Sequence, residues 1–321
     1  MTRAIAAGIA ALLAFTLPAA AQDIKGPVRI LVGYPPGGSA DILSRLLADR
    51  MKDALNTTVV VENKAGAGGR VAADQFKNAA PDGSVLMVTN IAVAVIAPLT
   101  YTSLKYDPAV DFAPVIKLGD FQLALATGPA TGAKTFAEYA TFLKGNPAKA
   151  TYGIPATGSL PHFFGVMLGR ALGVTYTAVP YRGGSPLNTD LVAGQVPAGI
   201  DALVDFTELH KAGKIAVLGT SGTARAPQTP DVPTFTELGF KDIAGTGWFG
   251  VFAPARTPEA IVARYNQVIA GILRQPEVVQ RLTALAIEPA GGSPADLARQ
   301  MTEDRAKWGP VIKASGYKPE E

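Results

Sequence analysis

The sequence predicts an α/β protein with two similar halves, each a mainly parallel sheet flanked by helices. Three observations predict this. Short apolar, β-rich runs alternate with stretches of helical periodicity along most of the chain. Two strand-to-helix turns share a glycine–serine pattern, at 37–39 and 158–159. Two extended apolar runs, at 118–125 and 245–252, stand where the chain would cross between the halves.

Composition excludes several classes of protein. The chain has 321 residues, of which 48% are apolar and 17% charged, as in a packed globule. It has no cysteine, which excludes disulfides, thiol catalysis and cysteine-ligated metals. The formal net charge is +3, and the basic residues are scattered, so the sequence predicts no nucleic-acid partner.

The first 21 residues are predicted to be a secretory signal peptide. Arg3 gives a positive start, residues 6–17 are apolar, and Ala19 and Ala21 form a cleavage pattern. The apolar run is too short to span a bilayer comfortably. We therefore expect cleavage after Ala21 and an exported, soluble chain.

The first strand-to-helix turn, Tyr34–Asp41, follows an apolar run at 28–32 and precedes a helical pattern. Gly37 and Gly38 permit positive φ and close approach of a guest. Ser39 is predicted as the N-cap, with Asp41 in the first helical turn. A helix start with free N–H groups favours a carboxylate or phosphate. A capped helix without a ligand is the alternative.

Two more strands, at 58–62 and 85–88, and a helix at 71–79 complete the first set. Thr89 and Asn90 follow the third strand, at the edge of a parallel sheet where ligands bind. The glycine loop at 63–69 lacks a nucleotide pattern, since Val71 stands where the last glycine is needed. No cofactor is predicted.

The second half repeats the pattern. A strand at 150–154 leads into the turn that contains Thr157, Gly158, Ser159 and His162. The next strand, 176–181, leads to Ser185 and Pro186, predicted as N-cap and N1 of another helix. Runs at 198–203 and 215–219 complete the set, and long helices are predicted from 260 and after Ser293.

This order predicts two domains, residues 22–120 with 246–321, and residues 121–245. Two crossovers between α/β domains suggest a hinge that closes over a small ligand. The helix starts at Ser39 and Ser159 are then expected to face each other across the cleft.

Seven motifs carry a family resemblance over the mature chain. In order they are YPPGGSAD at 34–41, ENKAGAGG at 62–69, PDG at 81–83, YGIPATGSLPH at 152–162, VPYRGGSPLNTDLVAGQV at 179–196, TSGTARAPQTPDVPTFTELGF at 220–240 and the WFGVFAPARTP run at 248–258. The chain resembles the periplasmic solute receptors of tripartite tricarboxylate transporters, the TctC or Bug family.

The resemblance implies a type II periplasmic binding fold, joined by two crossover strands. It implies capture of a carboxylate, delivery to a membrane permease pair, and a monomer in the periplasm. The ligand-binding residues expected from the resemblance, the strand ends and the cleft aromatics are Tyr34, Gly37, Gly38, Ser39, Asp41, Thr89, Asn90, Thr157, Gly158, Ser159, His162, Tyr181, Gly183 and Asp201.

Several roles stay open. Asp41 serves either the helix dipole or the ligand. His162 suits a structural or water-holding role better than a metal site. Asp201 suits a ligand amine or hydroxyl, or is held by neighbouring amides. Tyr34, Tyr181 and Trp248 line the cleft or belong to the core. Arg182 pairs a second carboxylate or faces solvent.

Departures from the family pattern suggest a less polar second wall. Pro197 and Ala202 replace polar residues, and Phe163 with Phe164 is bulky. These positions suggest an aromatic or longer-chain carboxylate as ligand.

Two other functions were weighed. A secreted hydrolase is disfavoured because the sequence Gly219-Thr220-Ser221-Gly222 lacks the nucleophile-elbow spacing. A receptor that signals to a membrane sensor would have the same fold, and the sequence does not separate it from a transport receptor. The chain is not expected to be an enzyme or to hold a metal.

Overall fold

The computed structural model describes residue 24 and residues 26–318. The predicted signal segment lies outside these residues. The strands are β1 (Val28–Val32), β2 (Val59–Asn63), β3 (Val85–Asn90), β4 (Phe112–Thr127), β5 (Thr151–Ile154), β6 (Thr177–Pro180), β7 (Ala198–Ala202), β8 (Ala216–Thr220), β9 (Thr246–Pro254) and β10 (Ile287–Pro289).

Helices cover both faces of these strands. They are α1 (Ser39–Leu55), α2 (Arg70–Lys77), α3 (Ala97–Thr100), α4 (Pro108–Asp111), α5 (Phe136–Gly145), α6 (Leu160–Leu172), α7 (Gly184–Val192), α8 (Leu203–Lys211), α9 (Glu259–Leu273), α10 (Pro276–Ala284) and α11 (Pro294–Ser315). Short 3₁₀ turns at Ala67–Gly69 and Pro147–Lys149 and a π-helical turn at Ala92–Ile96 complete the backbone.

The strands form one mixed sheet in the order β2-β1-β3-β9-β4-β7-β5-β6. In the first half β1 pairs in parallel with β2 and β3, and in the second half β5 pairs in parallel with β6 and β7. β8 and β10 both pair antiparallel with β4. The two predicted parallel sets are therefore present, and the long central strands β4 and β9 run antiparallel to their neighbours.

The predicted crossing at 118–125 is part of a longer strand, β4, which also includes the apolar residues at 115–118. Gly119 interrupts this apolar pattern within the strand. A Cβ atom there would lie 2.6 Å from Ile287 Cγ2 and 2.7 Å from the Glu288 carbonyl oxygen. The glycine lets β10 approach β4, so it does not mark a turn.

β4 and β9 form a two-stranded ribbon through the middle of the molecule. Residues 112–122 of β4 pair with β9, and residues 123–127 pair with β7 and β8. The register shifts twice in this ribbon, between Pro114 and Ile116 and between Lys117 and Gly119. Such bulges bend and twist a strand locally. The ribbon thus carries the chain between the halves.

Two predicted helix starts are displaced. α1 begins at Ser39 with Gly38 as its N-cap, and α7 begins at Gly184 with Gly183 as its N-cap. Ser39 and Ser185 are therefore the first and second helical residues and not N-caps. Glycine is an acceptable N-cap and allows the required backbone bend without a side chain. Ser159 and Ser293 do occupy the predicted N-cap positions of α6 and α11.

Ser293 makes a full capping box. Its hydroxyl accepts from the Asp296 N–H at 3.2 Å, and the Asp296 carboxylate accepts from the Ser293 N–H at 2.8 Å. α11 is also anchored by Trp248, whose indole N–H donates to Asp304 at 2.7 Å. Trp248 thus belongs to the core, with 1% of its surface exposed.

Replacing Ser293 with alanine removes this cap. We expect the free energy of unfolding to fall by about 1 kcal/mol, because one helix N–H loses its partner. Urea unfolding followed by circular dichroism measures the change. Ser103→Ala, at an exposed loop position, is the control and should change stability by less than about 0.5 kcal/mol. Equal effects of the two substitutions would contradict the capping role.

Candidate functional site

Three helix starts and the long central strands surround one cavity between the halves, called the cleft below. Its wall includes residues of the first turn between 34 and 40, the second-half turn at 155–161 and the start of α7 at 183–185. Phe121, Leu123 and Phe249 of the ribbon line it as well. A wider outer pocket adjoins it, shares Tyr34, Arg70 and neighbouring residues with it, and includes Arg182.

The structure brings most of the expected site residues to this cleft. Those that line it are Tyr34, Gly38, Ser39, Asn90, Thr157, Gly158, Ser159, Gly183 and Asp201. Tyr181 lines the outer pocket, where its hydroxyl donates to Asp190 at 3.0 Å. Gly37, Asp41, Thr89 and His162 line neither cavity.

Asp41 lies behind the first turn and fixes its shape. One carboxylate oxygen accepts from the Gly37 N–H at 3.0 Å and from Arg45 Nε at 2.9 Å, and the other accepts from Asn63 Nδ2 at 2.9 Å. Burial opposes ionisation, yet the hydrogen bonds from Arg45, Gly37 and Asn63 lower the Asp41 pKa. Of the two roles left open for Asp41, the geometry favours positioning of the turn.

His162 fixes the shape of the second-half turn, as Asp41 fixes that of the first. Its Nδ1 accepts a hydrogen bond from the Gly158 N–H at 3.1 Å. The ring stacks on Phe163 and meets the edge of Tyr317. Among the described residues no cluster of three histidines or carboxylates could hold a metal ion.

Phe163 and Phe164 do not contribute to the wall of the cleft. Both are buried in the core, with 0% and 3% of their surfaces exposed, and Phe164 packs edge-on against Phe235. Ala202, in contrast, does line the cleft. The suggestion of a less polar wall therefore depends on Ala202 and not on the two phenylalanines.

The helices that begin at the cleft are not capped by the side chains of their own N-cap residues. Gly38, Ser159 and Gly183 make no side-chain cap bond in α1, α6 and α7, whereas α11, which begins outside the cleft, has a complete capping box. The Ser159 hydroxyl is buried, with 6% of the residue exposed, and makes no hydrogen bond. The start of α6 therefore keeps a donor that an anionic group in the cleft can use.

A pair of carboxylates lies on the opposite wall. Asp201 accepts from the Ala202 N–H through Oδ1 at 2.8 Å, while its Oδ2 is buried without a partner. Asp205, in the first turn of α8, lies close enough to Ser39 for the backbone N–H and hydroxyl of that residue to lower its pKa. A Cβ atom at Gly184 would lie 2.8 Å from Asp201 Oδ2 and 3.4 Å from Asp205 Cγ. Because Gly184 has no side chain, the two carboxylates can lie at this position.

Burial opposes the ionisation of both carboxyl groups. Burial raises the pKa of Asp201 well above its ordinary value, and the charge of nearby Asp205 raises it further. Burial also raises the pKa of Asp205, against the two hydrogen bonds from Ser39. Among the described residues neither aspartate has an ion-pair partner. The pair therefore needs a proton or a positively charged neighbour.

The aromatic side of the cleft is held by hydrogen bonds. The Tyr34 hydroxyl donates to Asn90 Oδ1 at 3.0 Å, and the same oxygen accepts from the Ala92 N–H at 3.1 Å. Burial raises the pKa of Tyr34, so its hydroxyl stays protonated. This network fixes the ends of β1 and β3 relative to each other.

The residues of the cleft that sequence reasoning missed include Arg70, Tyr101 and Asp205. The Arg70 guanidinium lies 3.4 Å from the centroid of the Tyr101 ring, a cation–π contact. Arg70 follows the glycine loop and Asp205 stands four residues after Asp201, so proximity along the chain was the available signal. Nothing in the local pattern indicates that α8 turns Asp205 toward Ser39.

The raised pKa of Asp201 predicts a pH effect on stability. Above the ordinary aspartate pKa of about 4, the folded protein holds a proton that the unfolded chain has lost, so the free energy of unfolding falls as pH rises. We expect Asp201→Asn to flatten this fall. Urea unfolding between about pH 4 and pH 8 measures the two slopes, with the exposed Asp231→Asn as control. Identical slopes for all three proteins would contradict the assignment.

Comparison with known proteins places this fold and cleft in a family. A protein-family sequence model, that of the tripartite tricarboxylate transporter family receptor, matches residues 43–317 of this chain. The structure of the periplasmic binding protein BugD is 29% identical, covers 92% of this chain and 99% of its own, and has a TM-score of 0.87. This likeness confirms the predicted fold class.

Two further solved relatives contain ligands. Rpa4515 of R. palustris with adipate is 31% identical, with a TM-score of 0.88 and coverage of 92% of this chain and 98% of that one. MatC of Rhodopseudomonas palustris with bound malate is 31% identical, with a TM-score of 0.83 and coverage of 89% and 98%. No helix among the described residues is long and apolar enough to cross a membrane. The chain belongs to the family of tripartite tricarboxylate transporter receptors.

Proposed function

We propose that this protein is a periplasmic receptor that captures a small carboxylate-bearing molecule in the cleft and delivers it to the membrane subunits of a tripartite tricarboxylate-type transporter. The observation that carries the proposal is the buried, unpartnered Ser159 hydroxyl at the start of α6, in a cavity that the starts of α1 and α7 also line. Helix N-termini bind anions through their free N–H groups. The adipate and malate complexes of two relatives support a carboxylate as ligand.

Capture requires the cleft to open, which breaks contacts between the two halves. The Tyr101 hydroxyl donates to the Thr157 carbonyl at 3.1 Å. A Cβ atom at Gly183 would lie 3.4 Å from Pro35 Cδ, and one at Gly68 would lie 3.3 Å from Ala156 Cβ. Separation of the halves must also release the packing of Tyr317 against His162 and Phe163. We place the hinge in β4 and β9, between domains of residues 22–120 with 246–321 and residues 121–245.

Binding without catalysis fits the environment of Ser159. A nucleophilic serine needs a base within hydrogen-bond reach. The nearest candidate by sequence, His162, uses Nδ1 to accept from the Gly158 backbone, and Ser159 makes no hydrogen bond. Residues 1–21 would direct the chain to the periplasm and be removed after Ala21.

Ser159→Ala tests the anion-binding helix start. Because Ser159 makes no capping bond, we expect the ligand-free melting temperature to stay the same or rise. Binding of a carboxylate that stabilises the wild type should weaken about three- to tenfold, the effect of one lost hydrogen bond. Thermal shift across a carboxylate library, followed by calorimetry on the acids that bind, measures both quantities.

Ser293→Ala is the matched control, since it lowers stability without touching the cleft. It should lower the melting temperature and leave the dissociation constant unchanged. If no carboxylate stabilises the wild type, and mass spectrometry of the denatured protein finds no co-purified acid, the proposed function is wrong. Loss of uptake of the identified acid in a deletion strain tests delivery to a transporter separately.

A further inference from the structure

We propose that Asp201 and Asp205 bind a primary ammonium group of the ligand, so that this receptor selects amino-carboxylates over dicarboxylates. The inference rests on the proposed function, because it assumes that a carboxylate enters the same cleft. It assigns one end of the ligand to the start of α6 and the other to the aspartate pair.

The first step is the position of the two acids. Both line the cleft, and both carboxyl groups lie against Gly184, where a Cβ atom would be 2.8 Å from Asp201 Oδ2 and 3.4 Å from Asp205 Cγ. Asp201 Oδ2 is buried and has no hydrogen-bond partner among the described residues. A buried acceptor without a donor is costly, and a ligand N–H group removes that cost.

The second step concerns the donors at the start of α1. Asp205 lies beside Ser39, whose backbone N–H and hydroxyl lower the pKa of its carboxyl group against the effect of burial. The receptor's own carboxylate therefore competes with a ligand anion for those donors. A ligand carboxylate is therefore left with the start of α6, where the Ser159 hydroxyl is unpartnered. One end of the cleft, at the start of α6, can bind an anion, and the other end carries the two acids Asp201 and Asp205.

The third step is the charge balance. Arg70 is the one basic side chain among the residues that line the cleft, and its guanidinium is stacked on Tyr101. Neither aspartate makes an ion pair with it. A dicarboxylate would place a second negative charge beside two buried acids, which raises the energy of all three. An ammonium group supplies three donors and the missing positive charge.

The test uses matched ligands that differ only at one end. For chains of two to six carbons, calorimetry compares each amino-carboxylate with the dicarboxylate and the hydroxy-carboxylate of the same length. Succinate, 4-aminobutyrate and 4-hydroxybutyrate form one such set. The amino-carboxylates tested include α-amino acids. We expect the one with the lowest dissociation constant to bind at least about tenfold more tightly than its dicarboxylate and hydroxy-carboxylate analogues.

Two variants locate the preference. Asp205→Asn and Asp201→Asn keep the shape of the side chain and should each reduce the preference for the ammonium ligand about tenfold. The exposed Asp231→Asn should leave it unchanged. Melting curves of the variants establish that they are folded. A preference that is the same in both variants as in the wild type would overturn the assignment to these residues.

A measurement on the wild type alone gives an independent check. An ammonium group that pairs with a protonated acid should drive a proton into solution, so the binding enthalpy near pH 7 should depend on the ionisation enthalpy of the buffer. Absence of proton release on binding of the preferred amino-carboxylate would count against the pair.

The outcomes separate the two proposals. If dicarboxylates or hydroxy acids bind as tightly as the amino analogues, or more tightly, the inference fails while the proposed function stands. If no carboxylate of any kind binds and none is found in the purified protein, the proposed function itself fails.

Discussion

The antiparallel pairing of β4 with β9 is the constraint on which the rest of the structure depends. The two strands carry the chain between the halves, and their side chains Phe121, Leu123 and Phe249 line the cleft. The parallel sets β1–β3 and β5–β7 attach to opposite edges of this ribbon. As a result, the helices that follow strands in both sets start at the same cavity. The position of each donor in the cleft follows from this arrangement.

Much of the fold could be predicted because its signals are local. Apolar β-rich runs gave the strands of both parallel sets, and the glycine–serine turns located two helix starts at the cleft. Both crossings were predicted, at 118–125 and 245–252, but the full length of β4 was not. Gly119 resembles a break in the apolar pattern, and only the approach of β10 from a distant part of the chain explains it.

The candidate site was predictable in outline and not in the roles of individual side chains. Turn residues such as Ser39 and Ser159 are recognisable from the sequence because helix starts have a local signature. Whether a serine caps its own helix or points elsewhere depends on partners that are remote in sequence. Ser39 meets Asp205 of α8, while Ser293 caps its own helix with Asp296. The contribution of Asp205 therefore became visible only in three dimensions.

The cleft is built in two layers. Asp41 and His162 hold the turns from behind, through hydrogen bonds to the Gly37 and Gly158 backbones. Ser159 and Asp205 line the cleft, and the Ser159 hydroxyl makes no hydrogen bond to its own turn. A point mutation in the front layer can therefore change what the cleft binds while the rear layer preserves the fold, so ligand preference and stability can vary independently.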